Sequence, residues 1–306
     1  MDNVLVIGSG SIAKKHIDNL YNLGFRIYVF TSNNKFKEKN DKIKKIKNLN
    51  KIPKILFAII ANSTNNHLKY IELLIKKKIN IYCEKPIFHK KFEYSKVRKL
   101  IIKNKVKFFS GYQLLQDTKV KYLKKKIKKL KIKSFMASVG HDFYSWRKDI
   151  PRKKSYFINT SSGGGVIFEL VHEINLISNL FGKIEKIKTF KNKSNDHNCE
   201  DVAVTIIKTK NNIIGTLYQD MFSKFFFRKI KVITDKINYE IDFEKNLVLE
   251  NDKIVKFNSS NSQLSLLKRN LMDFIEKLKN KNRSLDNYDM SVRDLKNCLK
   301  MHDKIK

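Results

Sequence analysis

The sequence predicts an α/β protein with two domains, and two observations carry this prediction. Up to about residue 118, short apolar runs alternate with helical patterns, which is typical of a parallel sheet with right-handed crossovers. From residue 134 onward, strand-like runs follow one another closely, which favours an α+β domain with an open, mostly antiparallel sheet. We therefore expect domains at 1–118 and 119–306 of the 306-residue chain.

Five strands and their connecting helices account for the first domain. The run NVLVIG at 3–8 predicts a buried strand, and residues 11–24 have apolar side chains at helical spacing that stop at Gly24. Further strands are predicted over 26–31, 55–61, 79–84 and 107–111, with a helix over 66–78. Because such strands are parallel, their carboxyl ends meet at one edge of the sheet, where ligands bind.

The second domain begins with a lysine-rich segment, 119–133. Its apolar residues recur every three or four positions, so we interpret it as an amphipathic helix with a solvated lysine face rather than a nucleic-acid-binding arm. One helix is predicted over 166–181 and a helical tail over 262–306. Strands are predicted over 134–140, 201–209, 213–221, 225–234, 237–243 and 247–250.

The chain is strongly basic, with 65 lysine and arginine residues against 29 acidic ones and a formal net charge of +36. Such a charge raises the question of nucleic acid or an anionic membrane as a partner. Lysine supplies nearly all of it and is spread along the whole chain, whereas proteins that read bases favour the arginine fork. We therefore attribute the charge mainly to biased composition and expect no nucleic-acid partner. A positive surface would still attract phosphorylated ligands.

Cysteine usage and hydropathy bear on the compartment. Cys83, Cys199 and Cys298 are widely spaced and form no metal-binding pattern, so we expect reduced thiols, no metal site and a cytoplasmic protein. The longest apolar run, 55–61, is far shorter than the ~20 residues of a membrane helix. The first residues lead directly into a strand rather than a signal peptide, so we expect no membrane partner.

The segment GSGSIA, from Gly8 to Ala13, has the spacing of a dinucleotide-binding turn. It follows a predicted strand, opens a helix and begins an alternating series, which is the context that makes the pattern informative. Gly8 allows the tight turn, Gly10 allows the backbone to approach a pyrophosphate, and Ala13 allows close packing of helix and strand. The helix start, with Ser11 and Ile12, would hold the phosphates.

The end of the second strand bears on the choice between NAD and NADP. An acidic residue there would bind the ribose hydroxyls of NAD, but this chain has Thr31, Ser32 and Asn33 at that place. Lys35 follows and would pair with the 2′-phosphate of NADP. The cofactor is therefore NAD(P), with NADP favoured and NAD still open.

Two further segments follow the third and fourth of the five predicted strands, ANSTNNH at 61–67 and CEKPI at 83–87. Both lie at carboxyl ends of strands, where open α/β sheets bind ligands. A lysine held between a strand end and a proline indicates a function for Lys85, and Lys85–Pro86 is a candidate cis bond.

The motifs GSGSIAKKH, ANSTNNH, CEKPI, GYQ and GGGVIFELVHEINLISNLFG occur in this order, and together they resemble those of the glucose–fructose oxidoreductase / inositol dehydrogenase / MocA family. The resemblance covers nearly the whole chain. It implies an N-terminal Rossmann domain, a C-terminal α/β domain with an open sheet, and a dimer or tetramer formed through that sheet. It also implies hydride transfer between a nicotinamide and a sugar, nucleotide sugar or cyclitol.

The resemblance assigns catalytic roles to Lys85 and His172, and His172 is our candidate acid/base because the ordinary pKa of histidine, about 6.5, suits proton transfer near neutrality. Many members carry an aspartate four residues before this histidine, where the chain has Phe168; Glu169, three residues before it, is the candidate replacement because both spacings share a helix face. An aspartate common later in the motif is Asn175 here, and Leu115 replaces a frequent basic residue. The cofactor-binding residues predicted in this way are Gly8, Gly10, Ser11, Ile12, Ala13, Ser32, Asn33, Asn62, Ser63, His67, Glu84, Lys85 and Gln113.

The segment DFYSWRKDIPRKKSYF resembles that of members that serve surface polysaccharide or nonulosonate sugar biosynthesis. An aromatic ring can stack on a sugar and arginine can bind a carboxylate or phosphate. The candidate substrate-binding residues are Trp146, Arg147, Arg152, Tyr156 and His172.

Two alternatives remain open from the sequence. The departures at Phe168, Asn175 and Leu115 are compatible with an NAD(P)-binding accessory protein of weakened activity. The net charge is compatible with a basic nucleic-acid-binding protein on a Rossmann scaffold, which would bind with steep salt dependence and no turnover.

Overall fold

The alternating apolar runs of the sequence form two sheets in a computed structural model of the protein. The structure describes residues 1–38, 40–142, 158–193, 198–255, 262–280 and 285–302. Its helices are α1 (Ser11–Asn22), α2 (His67–Lys76), α3 (Tyr94–Lys103), α4 (Thr118–Ile127), α5 (Val166–Glu169), α6 (His172–Phe181), α7 (Gln263–Lys279) and α8 (Asp286–Met301).

The chain divides into two units by its own contacts. Unit 1 comprises Met1–Tyr112 and Gln263–Val292, and unit 2 comprises Gln113–Ser262 and Arg293–Lys306. This division differs from the expected one at 118/119, because α7 buries Leu271 and Phe274 in the core of unit 1. The predicted second domain, 119–306, includes this helix.

Unit 1 contains a parallel sheet of six strands. They are β1 (Asn3–Ile7), β2 (Arg26–Phe30), β3 (Ile43–Ile46), β4 (Phe57–Ile60), β5 (Asn80–Cys83) and β6 (Phe108–Ser110). Their order is β3-β2-β1-β4-β5-β6, and every pair is parallel. This is the order of a dinucleotide-binding sheet, in which the direction of winding changes between β1 and β4.

The core of unit 1 explains why its strands read as continuous apolar runs. The strand residues Val4, Val6, Ile27 and Phe57 are fully buried, as expected of a parallel sheet covered on both faces. On one face, α1 packs through Ala13, Ile17 and Leu20 in the same cluster as Leu271 and Phe274 of α7.

Unit 2 contains an eight-stranded mixed sheet. Its strands are β7 (Ile132–Gly140), β8 (Ile184–Asn192), β9 (Val202–Thr209), β10 (Ile214–Asp220), β11 (Phe227–Thr234), β12 (Tyr239–Asp242), β13 (Leu247–Glu250) and β14 (Lys253–Val255). The order is β14-β13-β12-β11-β7-β10-β9-β8, with every pair antiparallel except β7 with β10. The predicted class, a parallel dinucleotide-binding sheet followed by an open, mostly antiparallel one, is confirmed.

The helix predicted over 166–181 is two helices. The backbone leaves the helical region at Leu170 (φ −100°, ψ 37°), so α5 ends at Glu169 and α6 begins at His172. Helix α6 then packs on the sheet, where Phe181 stacks on Phe135 of β7 at 4.3 Å between ring centroids.

Candidate functional site

The turn between β1 and α1 needs glycine first at Gly8. Its φ is +119°, and a Cβ there would lie 2.6 Å from the carbonyl oxygen of Ala61 and 2.9 Å from the amide nitrogen of Asn62. A side chain would therefore clash with the backbone after β4 and also strain the turn. Gly8 fixes the close approach of β1 and β4 at the place where the sheet changes its direction of winding.

Gly10 serves a different purpose, because the protein itself leaves room for a side chain there. Its φ is −70°, and a Cβ would meet no atom of the described residues within 4 Å. Gly10 also begins α1 without a side-chain cap within the described part of the chain. Exposed Ser11 and the partly exposed Ile12 follow, while Ala13 is buried against the sheet. The start of α1 thus presents backbone amide groups and the positive end of the helix dipole beside an open space, which suits an anion.

Hydroxyl and lysine groups surround the end of β2. The hydroxyls of Ser9 and Thr31 are 2.8 Å apart, and Thr31 also accepts from the amide of Asn33. Asn33 and Ser32 are exposed, and the Asn33 side chain accepts from the amide of Lys35. The ammonium of Lys45, on β3, donates to the Asn33 carbonyl at 2.9 Å. Lys45 was missed from the sequence because its short strand was not predicted.

The segment after β4 brings Asn62, Ser63 and His67 together. The side-chain oxygen of Asn62 is buried and has no hydrogen-bond partner within the described residues, so it is ready to accept from a bound group. Ser63 precedes a short 3₁₀ turn, Thr64–Asn66, whose last amide donates to the Ser63 carbonyl. Asn62 thus fits the prediction of a cofactor ligand better than its neighbours.

His67 differs from its predicted role in cofactor binding. It is fully buried, with Nε2 at 3.0 Å from the Asn62 carbonyl and Nδ1 at 3.0 Å from the Pro86 carbonyl. Burial lowers the pKa of His67, against the effect of these backbone hydrogen bonds. Because both ring nitrogens contact main-chain carbonyls, we assign His67 to holding the protein's own backbone.

The segment after β5 carries Glu84, Lys85 and Pro86, and the Lys85–Pro86 peptide is cis. Lys85 is partly exposed, whereas Glu84 is buried and lies 2.7 Å from Nε2 of His16 on α1. Burial raises the pKa of the neighbouring Cys83 thiol well above its ordinary value, and the Glu84 charge adds to this effect. His16 is not among the predicted site residues, although it lies in the motif GSGSIAKKH.

In unit 2, Glu169 and His172 are both buried and lie on either side of the helix break. The prediction that they share one helix face assumed a continuous helix, so this reason for pairing them does not apply. Burial raises the pKa of Cys199 to about 12, and the charges of Glu200, Asp201 and Glu169 contribute.

Glu200, which the sequence analysis missed, holds the glycine segment before α5. Gly165 has a φ of +103°, and a Cβ on it would run into the Glu200 carboxylate. That carboxylate accepts from the amide of Ile167 at 3.2 Å and lies 3.2 Å from Nε2 of His302. The close approach explains the glycine at this position, because any side chain would displace the acid.

The structure describes only some of the remaining predicted site residues. Gln113 is buried at the start of unit 2. Trp146, Arg147, Arg152 and Tyr156 lie outside the described residues. A basic residue that sequence reasoning missed is Arg228 on β11, whose Nε lies 2.6 Å from the carboxylate of Glu173, next to His172.

Within the described ranges, no group of three or more His, Cys, Asp or Glu side chains is arranged to hold a metal ion. None of the helices described is both long enough and apolar enough to cross a membrane.

Two family models match the chain. An oxidoreductase family with an NAD-binding Rossmann fold, GFO_IDH_MocA, matches residues 3–112. The GFO/IDH/MocA C-terminal domain matches residues 131–240. A comparison with curated proteins finds no match.

Solved structures resemble the chain over nearly its full length at low sequence identity. UDP-N-acetylglucosamine 3-dehydrogenase GnnA from Acidithiobacillus ferrooxidans is 13% identical, with a TM-score of 0.80, covering 99% of this chain and 97% of the other. The WlbA dehydrogenase from Bordetella pertussis, in complex with NADH and UDP-GlcNAcA, is 13% identical with a TM-score of 0.79 and the same coverage. Levoglucosan dehydrogenase in complex with NADH is 13% identical with a TM-score of 0.80, again over 99% and 97%. At this identity the likeness shows the fold.

Proposed function

The chain belongs to the Gfo/Idh/MocA family of NAD(P)-dependent oxidoreductases, and from this premise we propose that it transfers a hydride to or from a sugar, most specifically a nucleotide sugar. The observation that carries the proposal is the start of α1, where Gly10 leaves an open space in front of an uncapped helix within the described residues. A pyrophosphate fits such a place by charge and by size.

The described residues of unit 1 fit a nicotinamide dinucleotide at several points. Ser11, Ile12 and Ala13 supply amides for the pyrophosphate, and the buried side-chain oxygen of Asn62 accepts from a hydroxyl or amide of the cofactor. Glu84 and Lys85 lie after the neighbouring strand β5. Ser63, in the segment after β4, completes the proposed set in unit 1. Gln113, the first residue of unit 2, is also proposed as a cofactor ligand.

We propose NADP as the preferred cofactor. The end of β2 carries Ser32 and Asn33 in place of an acid, and the Lys45 ammonium lies 2.9 Å from the Asn33 carbonyl. A 2′-phosphate would meet positive charge there and no carboxylate at positions 31–33. Lys35, exposed on the following turn, adds to this charge.

The catalytic roles follow from the residue chemistry. The bound nicotinamide accepts or supplies the hydride. In the oxidising direction, His172 takes the proton of the substrate hydroxyl while the hydride leaves the carbon that bears this hydroxyl. The Lys85 ammonium stabilises the negative charge that develops on the oxygen. The charge of Glu169 would tune the electrostatic environment of Lys85 and His172.

The proposed substrate class rests on the solved structures named above and on four residues of the segment DFYSWRKDIPRKKSYF. GnnA carries UDP-N-acetylglucosamine in its name, and WlbA was solved with UDP-GlcNAcA. Arg147 and Arg152 would bind a diphosphate or a sugar carboxylate, and Trp146 and Tyr156 would stack on the sugar. Surface polysaccharide or nonulosonate sugar biosynthesis is the pathway class we propose.

We further propose a homo-oligomer, a dimer or tetramer, formed through the sheet of unit 2. One face of this sheet is covered by α6, while the other exposes apolar side chains that are neighbours across the strands. They are Met136, Phe190, Val204, Ile206, Ile214 and Tyr218. Phe190, Val204 and Tyr218 form one apolar row across three strands. An exposed sheet face is ordinarily polar, so this row and the apolar side chains near it indicate an interface. Cys83, Cys199 and Cys298 are buried and form no disulfide among the described residues, which also fits the reducing cytoplasm.

A turnover assay tests the proposal. The protein is mixed with UDP-N-acetylglucosamine, or with UDP-GlcNAcA, and with NADP or NAD, and the absorbance of reduced nicotinamide is followed. We expect turnover that falls by about 10²-fold or more in Lys85→Ala and in His172→Ala. Lys90→Ala, an exposed lysine after the same segment, is the matched control and keeps wild-type turnover.

Three outcomes would contradict the proposal. Lys85→Ala and His172→Ala that both stay within about threefold of wild type would remove the assigned roles. Tight cofactor binding with no turnover of any sugar would support the accessory-protein alternative. Salt-dependent binding to RNA without binding of NADPH or NADH would support the nucleic-acid alternative.

A further inference from the structure

Two buried histidines of unit 1 have no part in the proposed chemistry. His16 lies on α1 and His67 opens α2, and they are 0% and 1% exposed. Each contacts a residue next to Lys85 in sequence, on opposite sides of it. Buried polar side chains are costly unless they are hydrogen-bonded, so their contacts indicate a purpose.

His16 holds Glu84, the residue before Lys85. Its Nε2 lies 2.7 Å from the Glu84 carboxylate, and its ring packs edge-on against Tyr82 at 5.1 Å between centroids. Nδ1 of His16 is buried without a hydrogen-bond partner in the described part of the chain. A carboxylate oxygen accepts hydrogen bonds, so the proton in this contact lies on Nε2. His16 then donates to the carboxylate.

Glu84 has little freedom on its other side. A Cβ added to Gly111 would lie 2.8 Å from the second carboxylate oxygen, so the acid fills the space above this glycine. The amide of Glu84 also donates to the Ile60 carbonyl at 2.9 Å, in continuation of the sheet. The side chain and the backbone of Glu84 are thus both restrained.

His67 holds Pro86, the residue after Lys85. Nδ1 of His67 contacts the Pro86 carbonyl and Nε2 contacts the Asn62 carbonyl, each at 3.0 Å. A neutral ring carries one N–H, so it donates to one of these carbonyls and only contacts the other. The ring thus lies between the segment after β5 and the segment after β4. Lys85 is the single residue between two restrained neighbours.

We propose that His16 and His67 are positioning residues for Lys85, which they place by fixing the residues on either side of it. The inference rests on the proposed function, in which the Lys85 ammonium acts on the substrate. The lysine side chain is long and flexible, so its Cα must be fixed for the ammonium to arrive reproducibly. A misplacement of about 1 Å can cost about 10²-fold in rate.

The link through His16 has a second consequence. His16 belongs to α1, the helix whose start would hold the cofactor phosphates. The same helix therefore fixes the place of the cofactor and, through Glu84, the place of the lysine. The relative position of the two is set within unit 1 alone.

The test uses His16→Leu, which keeps the bulk and removes the donor, and His16→Gln, which keeps a donor. We expect His16→Leu to lower kcat by about 10²-fold, with the Kd of NADPH, from its fluorescence, within about threefold of wild type. His16→Gln should recover most of the kcat. The crystal structure of His16→Leu should show the Cα of Lys85 displaced, and that of His16→Gln should not.

A double-mutant comparison separates positioning from general damage. If His16 acts through Lys85, His16→Leu adds less than about a threefold loss to Lys85→Ala. The matched control is Ile17→Ala, which removes an equally buried side chain of α1 that lies in the core cluster and not on Glu84. It should lower the free energy of unfolding with little change in kcat.

The outcomes distinguish the two claims. Wild-type turnover in Lys85→Ala would overturn the proposed function of that lysine. A fully additive loss in the double variant, or an unmoved Lys85 with wild-type kcat in His16→Leu, would overturn the positioning role. His67→Leu, which removes the donor, provides the second variant, and its kcat should fall with the same dependence on Lys85.

Discussion

Asn175 donates its side-chain amide to the carboxylate of Asp294 across 2.7 Å, and both side chains are buried in unit 2. Burial raises the pKa of Asp294, while Arg293 and the Asn175 amide oppose this shift. The contact accounts for the absence of the aspartate that is common in the family at position 175. A carboxylate there would face Asp294 without water to screen the two charges.

We expect Asn175→Asp to lower the free energy of unfolding by about 3–5 kcal/mol at neutral pH, because it places two carboxylates together in a buried site. Adding Asp294→Asn should restore most of the loss, since the donor and acceptor are then exchanged. Urea denaturation of the two variants measures this. Asn179→Asp, one turn later in a partly buried position, is the matched control and should cost about 1 kcal/mol. An Asn175→Asp protein as stable as wild type would show that the hydrogen bond from the Asn175 amide to Asp294 does not stabilise the fold.

The lowered pKa of His67 predicts a loss of stability in acid. The unfolded chain binds a proton at His67 below about pH 6.5, whereas the folded chain resists it because the ring is buried. The free energy of unfolding should therefore be at its full value above this pH. It should fall as the pH decreases below it, by at most about 1.4 kcal/mol per pH unit from this group.

Urea denaturation between about pH 5 and pH 7 measures the slope, and His67→Gln should flatten it. The neighbouring charged group is Glu84, whose charge favours protonation of His67 and so reduces the effect. Equal slopes for wild type and His67→Gln would mean that other groups cause the acid sensitivity.

Lys45 should contribute to the preference for NADP. Lys45→Gln removes the ammonium at the end of β2, so we expect the Kd of NADPH to rise about five- to tenfold and that of NADH to change less than twofold. Lys44→Gln is the matched control, because Lys44 is the preceding residue on β3 and its side chain points to the opposite face of the sheet. Fluorescence titration measures the Kd of NADPH and of NADH for wild type and for each variant. An equal effect of the two substitutions would assign the preference to general surface charge.

The exposed face of the sheet in unit 2 should form the interface between the protomers. Ile206 is 45% exposed near the middle of this face, beside Thr216 and Lys188 on the adjacent strands. We expect Ile206→Lys to convert the oligomer to a monomer, measured by light scattering after gel filtration. Phe225→Lys changes a residue that is 85% exposed but lies outside the strands, and it should leave the mass unchanged. A monomeric wild-type protein would contradict the proposed interface.

The sequence predicted both sheets, and the strands that it missed share a physical reason. β3, β8 and β14 are edge strands with lysines and exposed side chains, so they lack a clear apolar run or a strict alternation. The break at Leu170 was also invisible, because apolar residues continue through it at helical spacing. The placement of α7 in unit 1 depends on contacts between distant parts of the chain, which periodicity cannot reveal.

The candidate site was predictable wherever a motif carries its own chemistry. Gly8, Gly10 and Lys85 were named from local patterns that imply a turn, an anion site and a strand end. The partners that hold these residues were not, because His16, Lys45 and Glu200 come from distant segments and have no motif of their own. The motif predicts that His67 binds the cofactor. Only the structure shows that its ring contacts two main-chain carbonyls of the protein itself.

The central claim, that the start of α1 binds a nicotinamide dinucleotide, is tested most directly by titrating NADPH with wild type and with Gly10→Ala. The added methyl meets no atom of the described residues within 4 Å, so the variant should fold with a stability within about 1 kcal/mol of wild type. The methyl would occupy the approach to the pyrophosphate, so the Kd of NADPH should rise at least about tenfold. No binding by wild type, or equal binding by a folded Gly10→Ala protein, would contradict the claim.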